Sequence, residues 1–112
     1  MSELKEMNGH TLLLVQFVEN EDSRTYMDSK SPYETLEMIL RLYENYLLQK
    51  QGRHVSQINY ELNDVLKFVD TLFDLSLMVF NEKAAGYTCH GKAWIKGMLH
   101  VYLRQLAAAQ KQ

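Results

Sequence analysis

The side chains that could do chemistry are few. Cys89 and His90 stand next to each other, and His10, His54 and His100 are the other imidazoles. A zinc site needs three or four ligands converging at characteristic short spacings. These residues have no such spacing, and a lone cysteine ending a strand reads as packing. Asp64, Asp70 and Asp74 could supply paired carboxylates for acid–base work, but their spacing follows the polar side of an amphipathic helix, where they face water. The five glycines are scattered rather than gathered into a phosphate loop, and no serine or cysteine stands in a nucleophile motif. The sequence therefore assigns no catalytic residue, no cofactor and no metal, and enzymatic activity is not expected. Recognition is what remains. Met38, Leu42 and Tyr46 recur every four residues beside the main apolar stripe of a helix and make a candidate groove for a partner peptide; packing under a loop or against a later helix is the alternative. Trp94 reads as an anchor of its helix to a sheet rather than as a binding hot spot.

The chain of 112 residues, 46% hydrophobic and 23% charged, has the size and composition of one globular domain. Its net charge of −2 argues against direct nucleic-acid binding, which needs clustered lysines and arginines to displace counterions from phosphates. Lys92, Lys96 and Arg104 are the densest basic group, and a solvated helix face accounts for them. No signal-peptide pattern and no apolar run of roughly 18 residues is present, so a soluble, intracellular protein without membrane contact is expected. Residues 1–9 are expected to form a flexible N-terminal extension, 10–106 the domain, and 107–112 a frayed tail.

The elements that must position these residues follow from periodicity. Residues 10–17, HTLLLVQF, read as a strand, the acidic stretch after them as a turn, and residues 24–28, RTYMD, as the second arm of a hairpin. Ser31-Pro32-Tyr33-Glu34 combines a capping serine, a first-turn proline and a glutamate three residues after the cap, and so starts a helix. Leu36, Ile39, Leu40, Tyr43 and Leu47 form its apolar stripe, and Gly52 is expected to end it. Residues 55–60 are of uncertain type. Leu62, Val65, Leu66, Val69, Leu72 and Phe73 mark a second helix, residues 75–80 a third strand, 86–89 its hairpin partner, and Ile95, Met98, Leu99, Tyr102 and Leu106 a third helix.

The order β-β-α-α-β-β-α predicts an α+β fold, with a four-stranded antiparallel sheet and helices packed on it. A sheet with one wet face alternates apolar and polar residues, yet the first strand carries Leu12 and Leu14 on one face and Leu13, Val15 and Phe17 on the other. The third carries Leu75, Leu77 and Val79 on one side and Met78 and Phe80 on the other. Three helices can cover one face. Unless the helices are split between the two faces, another molecule must cover the second, and symmetric self-pairing into a homodimer is the expected solution.

Taken in order, His10-Thr11-Leu12-Leu13-Leu14-Val15-Gln16, Arg24-Thr25-Tyr26, Tyr43-Glu44, Ile58 with Tyr60, Phe68 with Asp70, Asp74-Leu75-Ser76, Val79, Tyr87, and Lys92 with Trp94-Ile95-Lys96 resemble the enhancer-of-rudimentary family over nearly the whole chain. The resemblance implies three helices on one sheet face and dimerisation through the other. Leu12 and Leu14 match first-strand positions of the family's dimer interface, with Leu77 and Val79 assigned as its third-strand side. It also implies a catalytically silent protein, mainly nuclear, with cytoplasmic or perinuclear residence as the alternative. Its expected partners are itself and short segments of RNA-processing or RNA-binding proteins, including those that remove selected transcripts or mature small RNAs. Three departures suggest a diverged paralogue: extra residues before His10, Cys89-His90-Gly91 where the family has a Pro-Tyr-Asn stretch, and Gly97 inside a helix. The reading that follows is a dimeric adaptor presenting two equivalent peptide sites, and two others compete with it. One is direct binding of single-stranded RNA by Tyr26, Tyr60 and Tyr87 stacking on bases. The other, an enzyme or regulator of pyrimidine metabolism, rests on the family's naming alone.

Overall fold

Hairpins account for most of the sheet. The computed structural model describes residues 8–51 and 61–110, so Gly52, residues 55–60 and most of the N-terminal extension lie outside the described part. Strand β1 (Thr11–Gln16) turns through a short 3-10 segment (Glu21–Ser23) into β2 (Arg24–Ser29). The turn is tied by its own side chains: Asn20 Oδ1 accepts the Asp22 N–H at 2.9 Å, and the Ser23 hydroxyl donates to the Asn20 carbonyl at 2.7 Å. Strands β3 (Asp74–Asn81) and β4 (Gly86–His90) form the second hairpin. Asn81 Oδ1 accepts the Lys83 and Ala84 N–H groups there, and Ala85 sits at φ 54°. All pairings are antiparallel and the strand order is β2-β1-β3-β4, so the first strand made is an inner one.

Helix α1 (Pro32–Gln51) starts where the cap signal places it. Ser31 Oγ accepts the Glu34 N–H at 3.3 Å, and the Glu34 carboxylate reaches back to the Lys30 N–H at 3.0 Å. Helix α2 (Leu62–Thr71) buries Val65, Phe68 and Val69 and stops earlier than its apolar spacing predicts. Leu72 has extended backbone, so Phe73, expected on the helix stripe, lies beyond its end and is exposed. Asp74, expected on the polar side of this helix, instead opens β3. Helix α3 (Lys92–Gln110) runs through Gly97 without a break.

The core is a single cluster between the three helices and one sheet face. Leu13, Val15, Leu75 and Leu77 supply its sheet side; Leu36, Ile39, Val65, Val69, Ile95 and Leu99 supply its helix side. Each of these residues is at most 2% exposed. Fully burying such a side chain contributes about 1.5–3 kcal/mol. Trp94 does anchor α3 to the sheet: it packs on the core edge and stacks on His90 of β4, with ring centroids 4.0 Å apart. Among the described residues no helix is long and apolar enough to cross a membrane.

Candidate functional site

Strand alternation sorts the sheet into two faces, and the register fixes which residues share each one. Leu13 lies opposite Met27 and Leu77, while its neighbours Leu12 and Leu14 lie opposite Asp28 and Tyr26 on one side and Met78 and Ser76 on the other. The first set faces the helices. The second forms an open face, on which Tyr26 is 67%, Tyr87 42% and Leu14 38% exposed, with Leu12, Met78 and Phe80 half-buried.

Leu12 and Leu14 therefore lie on the open face, but Leu77 and Val79 do not. Leu77 is fully buried in the core, and Val79, opposite Thr11, packs against the same cluster. The open-face positions of β3 are Ser76, Met78 and Phe80. The correction has a plain cause: β3 is apolar on both sides, so period-2 spacing does not say which side meets the helices. Ser76 and Asp74, the polar residues on one side only, are the signal that marks the open one.

Polar groups frame this apolar face. His10 spans the sheet, its Nε2 at 3.0 Å from Asp28 Oδ2 of β2 and its Nδ1 at 2.8 Å from the Tyr87 hydroxyl of β4. With the proton on Nε2, the ring donates to Asp28 and accepts from the Tyr87 O–H. At the opposite end Gln16, 5% exposed, accepts from Arg24 Nε at 2.8 Å and donates to the Val18 and Glu19 carbonyls. Between these frames lie Leu12, Leu14 and Met78, and a shallow depression runs beside Leu14 toward Tyr26 and Ser76. Among the described residues no three His, Cys, Asp or Glu side chains converge as metal ligands. Cys89 is exposed on the open face beside Met78, and Asp70 pairs with Lys96 at 2.8 Å.

The sequence match decides the family. The family model described as enhancer of rudimentary covers residues 7–109. The chain belongs to the enhancer of rudimentary family. It is similar to the protein enhancer of rudimentary of Drosophila virilis, 36% identical over 99 residues, which is 88% of this chain and 94% of that protein. The enhancer of rudimentary homolog of Dictyostelium discoideum is also 36% identical over 99 residues, 88% of this chain and 98% of its own. That of Caenorhabditis elegans is 35% identical over 92 residues, 82% of this chain and 88% of its own.

In this enhancer-of-rudimentary chain Met38, Leu42 and Tyr46 do not line one groove. Leu42 and Tyr46 pack against the core, the Tyr46 ring 5.2 Å from that of Phe68 on α2. Met38 lies in a shallow, polar-walled depression with His10, Asp28, Glu37 and Arg41. The helix stripe is wider than its spacing suggests because Phe68 of α2 packs against Tyr43 and Tyr46. Tyr60, one of the three candidate stacking tyrosines, lies outside the described residues.

Proposed function

We propose that this chain is a non-catalytic, homodimeric adaptor that binds short segments of RNA-processing proteins and joins them by its two-fold symmetry, in the nucleus. The observation that carries the dimer is a sheet whose helix side holds the core through Leu13, Val15, Leu75 and Leu77 while Leu12, Leu14, Met78 and Phe80 stand on the other side. Four strands at about 4.8 Å spacing and six residues at about 3.3 Å rise span roughly 19 by 20 Å, a plane near 400 Å². Leu12, Leu14, Met78 and Phe80 make the apolar part of that plane, bordered by Asp28 and Asp74, and a contiguous exposed apolar patch is the mark of an interaction site. A symmetric partner covers it with its own copy, so each apolar residue contributes twice. The class of partner rests on family membership and on the acidic balance of the chain, which favours protein over nucleic acid as ligand.

Light scattering on the wild type and on Leu12→Arg/Leu14→Arg tests the dimer. The wild type is expected at twice the chain mass of 13.1 kDa, and the variant at the chain mass with an unchanged circular-dichroism spectrum. A wild type at the single-chain mass at micromolar concentration sinks the symmetric adaptor. Immobilised wild-type and variant proteins, incubated with nuclear extract, then separate symmetry from partner choice: RNA-processing proteins should be recovered on the wild type. Recovery of metabolic enzymes alone contradicts the partner class.

Tyr26 and Tyr87, exposed on the open face, keep one competing reading alive, the stacking of single-stranded RNA bases on the sheet. Asp28 and Asp74 on the same face oppose a phosphate backbone. A gel shift with single-stranded RNA that is strong and weakens with salt favours that reading over the adaptor.

A further inference from the structure

The two central strands have one more rung than their ladder. Val15 faces Leu75 and Gln16 faces Asp74. The next antiparallel pair is Phe17 with Phe73, and the Phe73 N–H donates to the Phe17 carbonyl at 3.3 Å. By alternation both side chains belong to the helix side of the sheet, with Val15 and Leu75. Their surroundings differ sharply: Val15 and Leu75 are 2% and 1% exposed, whereas Phe17 is 38%, Phe73 55% and the adjoining Val18 57% exposed. α2 has already ended at Thr71. Directly opposed strand residues have Cβ atoms about 4.5–5.5 Å apart, so the two phenylalanines form one apolar surface. Single exposed apolar residues are ordinary, but a cross-strand pair of uncovered aromatic rings is the kind of anchor on which interfaces concentrate their binding energy.

Charge selects what fits there. Glu19, Glu21 and Asp22 follow Val18 in the turn. Glu21 reaches Arg24 only at 4.0 Å, and Arg24 also gives its Nε to Gln16. Of the lysines at this end of α2, Lys96 is paired with Asp70 at 2.8 Å, whereas Lys92 hydrogen-bonds the neutral Leu72 carbonyl and keeps its charge. On the Val18 side the rim is therefore acidic beside an aromatic centre.

From this geometry we infer that the Phe17–Phe73 patch docks a peptide segment of a partner protein in which a large apolar side chain is flanked by lysines or arginines. The site extends the adaptor reading but lies on the side of the sheet away from Leu12 and Leu14. A dimer therefore presents two such patches, both clear of its own interface, and their partner recognition does not need the dimer to form.

The experiment is an amide-shift titration of the full isotope-labelled chain with three synthetic peptides. The first carries a Trp-Leu pair flanked by arginines, the second replaces the arginines by glutamates, and the third replaces Trp-Leu by serines. The first peptide is expected to shift residues 17–23 and 70–74. Phe17→Ser/Phe73→Ser should weaken it by roughly thirtyfold, the loss of one strong anchor. Glu19→Gln/Asp22→Gln, or added salt, should weaken it several-fold. The glutamate and serine peptides should bind at least about tenfold more weakly than the first. Absence of binding, equal binding of the glutamate peptide, or binding that survives Phe17→Ser/Phe73→Ser overturns the site. Shifts confined to the open face or to the Met38 depression overturn it while leaving an adaptor with a different groove. A wild-type mass that falls on Phe17→Ser/Phe73→Ser makes the occupant a second copy and also overturns it. Both rings are surface residues, so the variant should fold; the Glu19→Gln/Asp22→Gln arm tests the charge half independently.

Discussion

Truncating Leu77 and Met78 separately to alanine tests the assignment of the two sheet faces, because these neighbours on β3 point in opposite directions. Leu77 is fully buried opposite Leu13 and His90. Leucine-to-alanine changes at such sites cost the lost transfer energy plus the cavity left behind, about 3–4 kcal/mol. In a domain of this size that lowers Tm by roughly 12–20 °C. Met78 is half-buried within one protomer, so Met78→Ala should cost an isolated protomer about 1 kcal/mol, a shift of roughly 4–6 °C. Thermal denaturation followed by circular dichroism, at two protein concentrations about a hundredfold apart, measures both. If the open face pairs with a second copy, the Met78→Ala deficit grows with concentration, since the variant loses association energy that the dilute wild type also lacks. The Leu77→Ala deficit is large at both concentrations. A Met78→Ala loss in dilute solution that equals or exceeds that of Leu77→Ala refutes the face assignment and the open apolar face with it.

Other outcomes follow from single contacts. Ser31→Ala removes the acceptor of the Glu34 N–H and should cost about 1 kcal/mol in denaturant unfolding. Gly97 is exposed in the interior of α3 with nothing within 4 Å of an added Cβ, so Gly97→Ala should stabilise by roughly 0.5–1 kcal/mol. Gly9→Ala goes the other way: φ is +120° and the new Cβ would lie 2.6 Å from the Phe80 carbonyl oxygen, a strain of about 1–3 kcal/mol by the same assay. The Tyr43 phenol is held above its ordinary range, first by burial and then by the charges of Asp64 and Glu61 and the neighbouring Tyr46. Its contribution to stability is complete below the unfolded value near pH 10 and is lost as pH rises through the higher folded value, because the unfolded chain ionises first. Tyr43→Phe should flatten the alkaline fall in unfolding free energy; an unchanged slope contradicts the shift.

The local punctuation of this chain was legible because it is written in residues with one structural meaning. Ser31-Pro32 with Glu34 placed the start of α1, and the apolar run of 10–17 with the acidic turn after it placed the first hairpin. That β1 is apolar on both faces was legible in Leu12 and Leu14 standing against Leu13 and Val15. Assigning β3 was not, because Leu77 and Met78 are equally apolar and only the helices decide between them. Phe73 misled for a related reason: it continues the helical spacing of Val65 and Val69, but the chain leaves the helix at Leu72. That departure places it against Phe17, a pairing between residues far apart in the chain. Leu42 and Tyr46 joined the core through Phe68, a contact that no spacing within α1 reveals.

The strand order also sets when this protein can fold. β1 is made early, yet it is an inner strand whose partner on one side is β3: Gln16 meets Asp74 and Thr11 meets Val79. At 5–20 residues per second, the ribosome takes roughly 3–12 s to add the residues between them. Through that interval the first hairpin exposes an unpaired edge and two apolar faces, the combination most prone to pair with a neighbouring nascent chain. Chains emerging in close succession from one messenger therefore meet first at this strand.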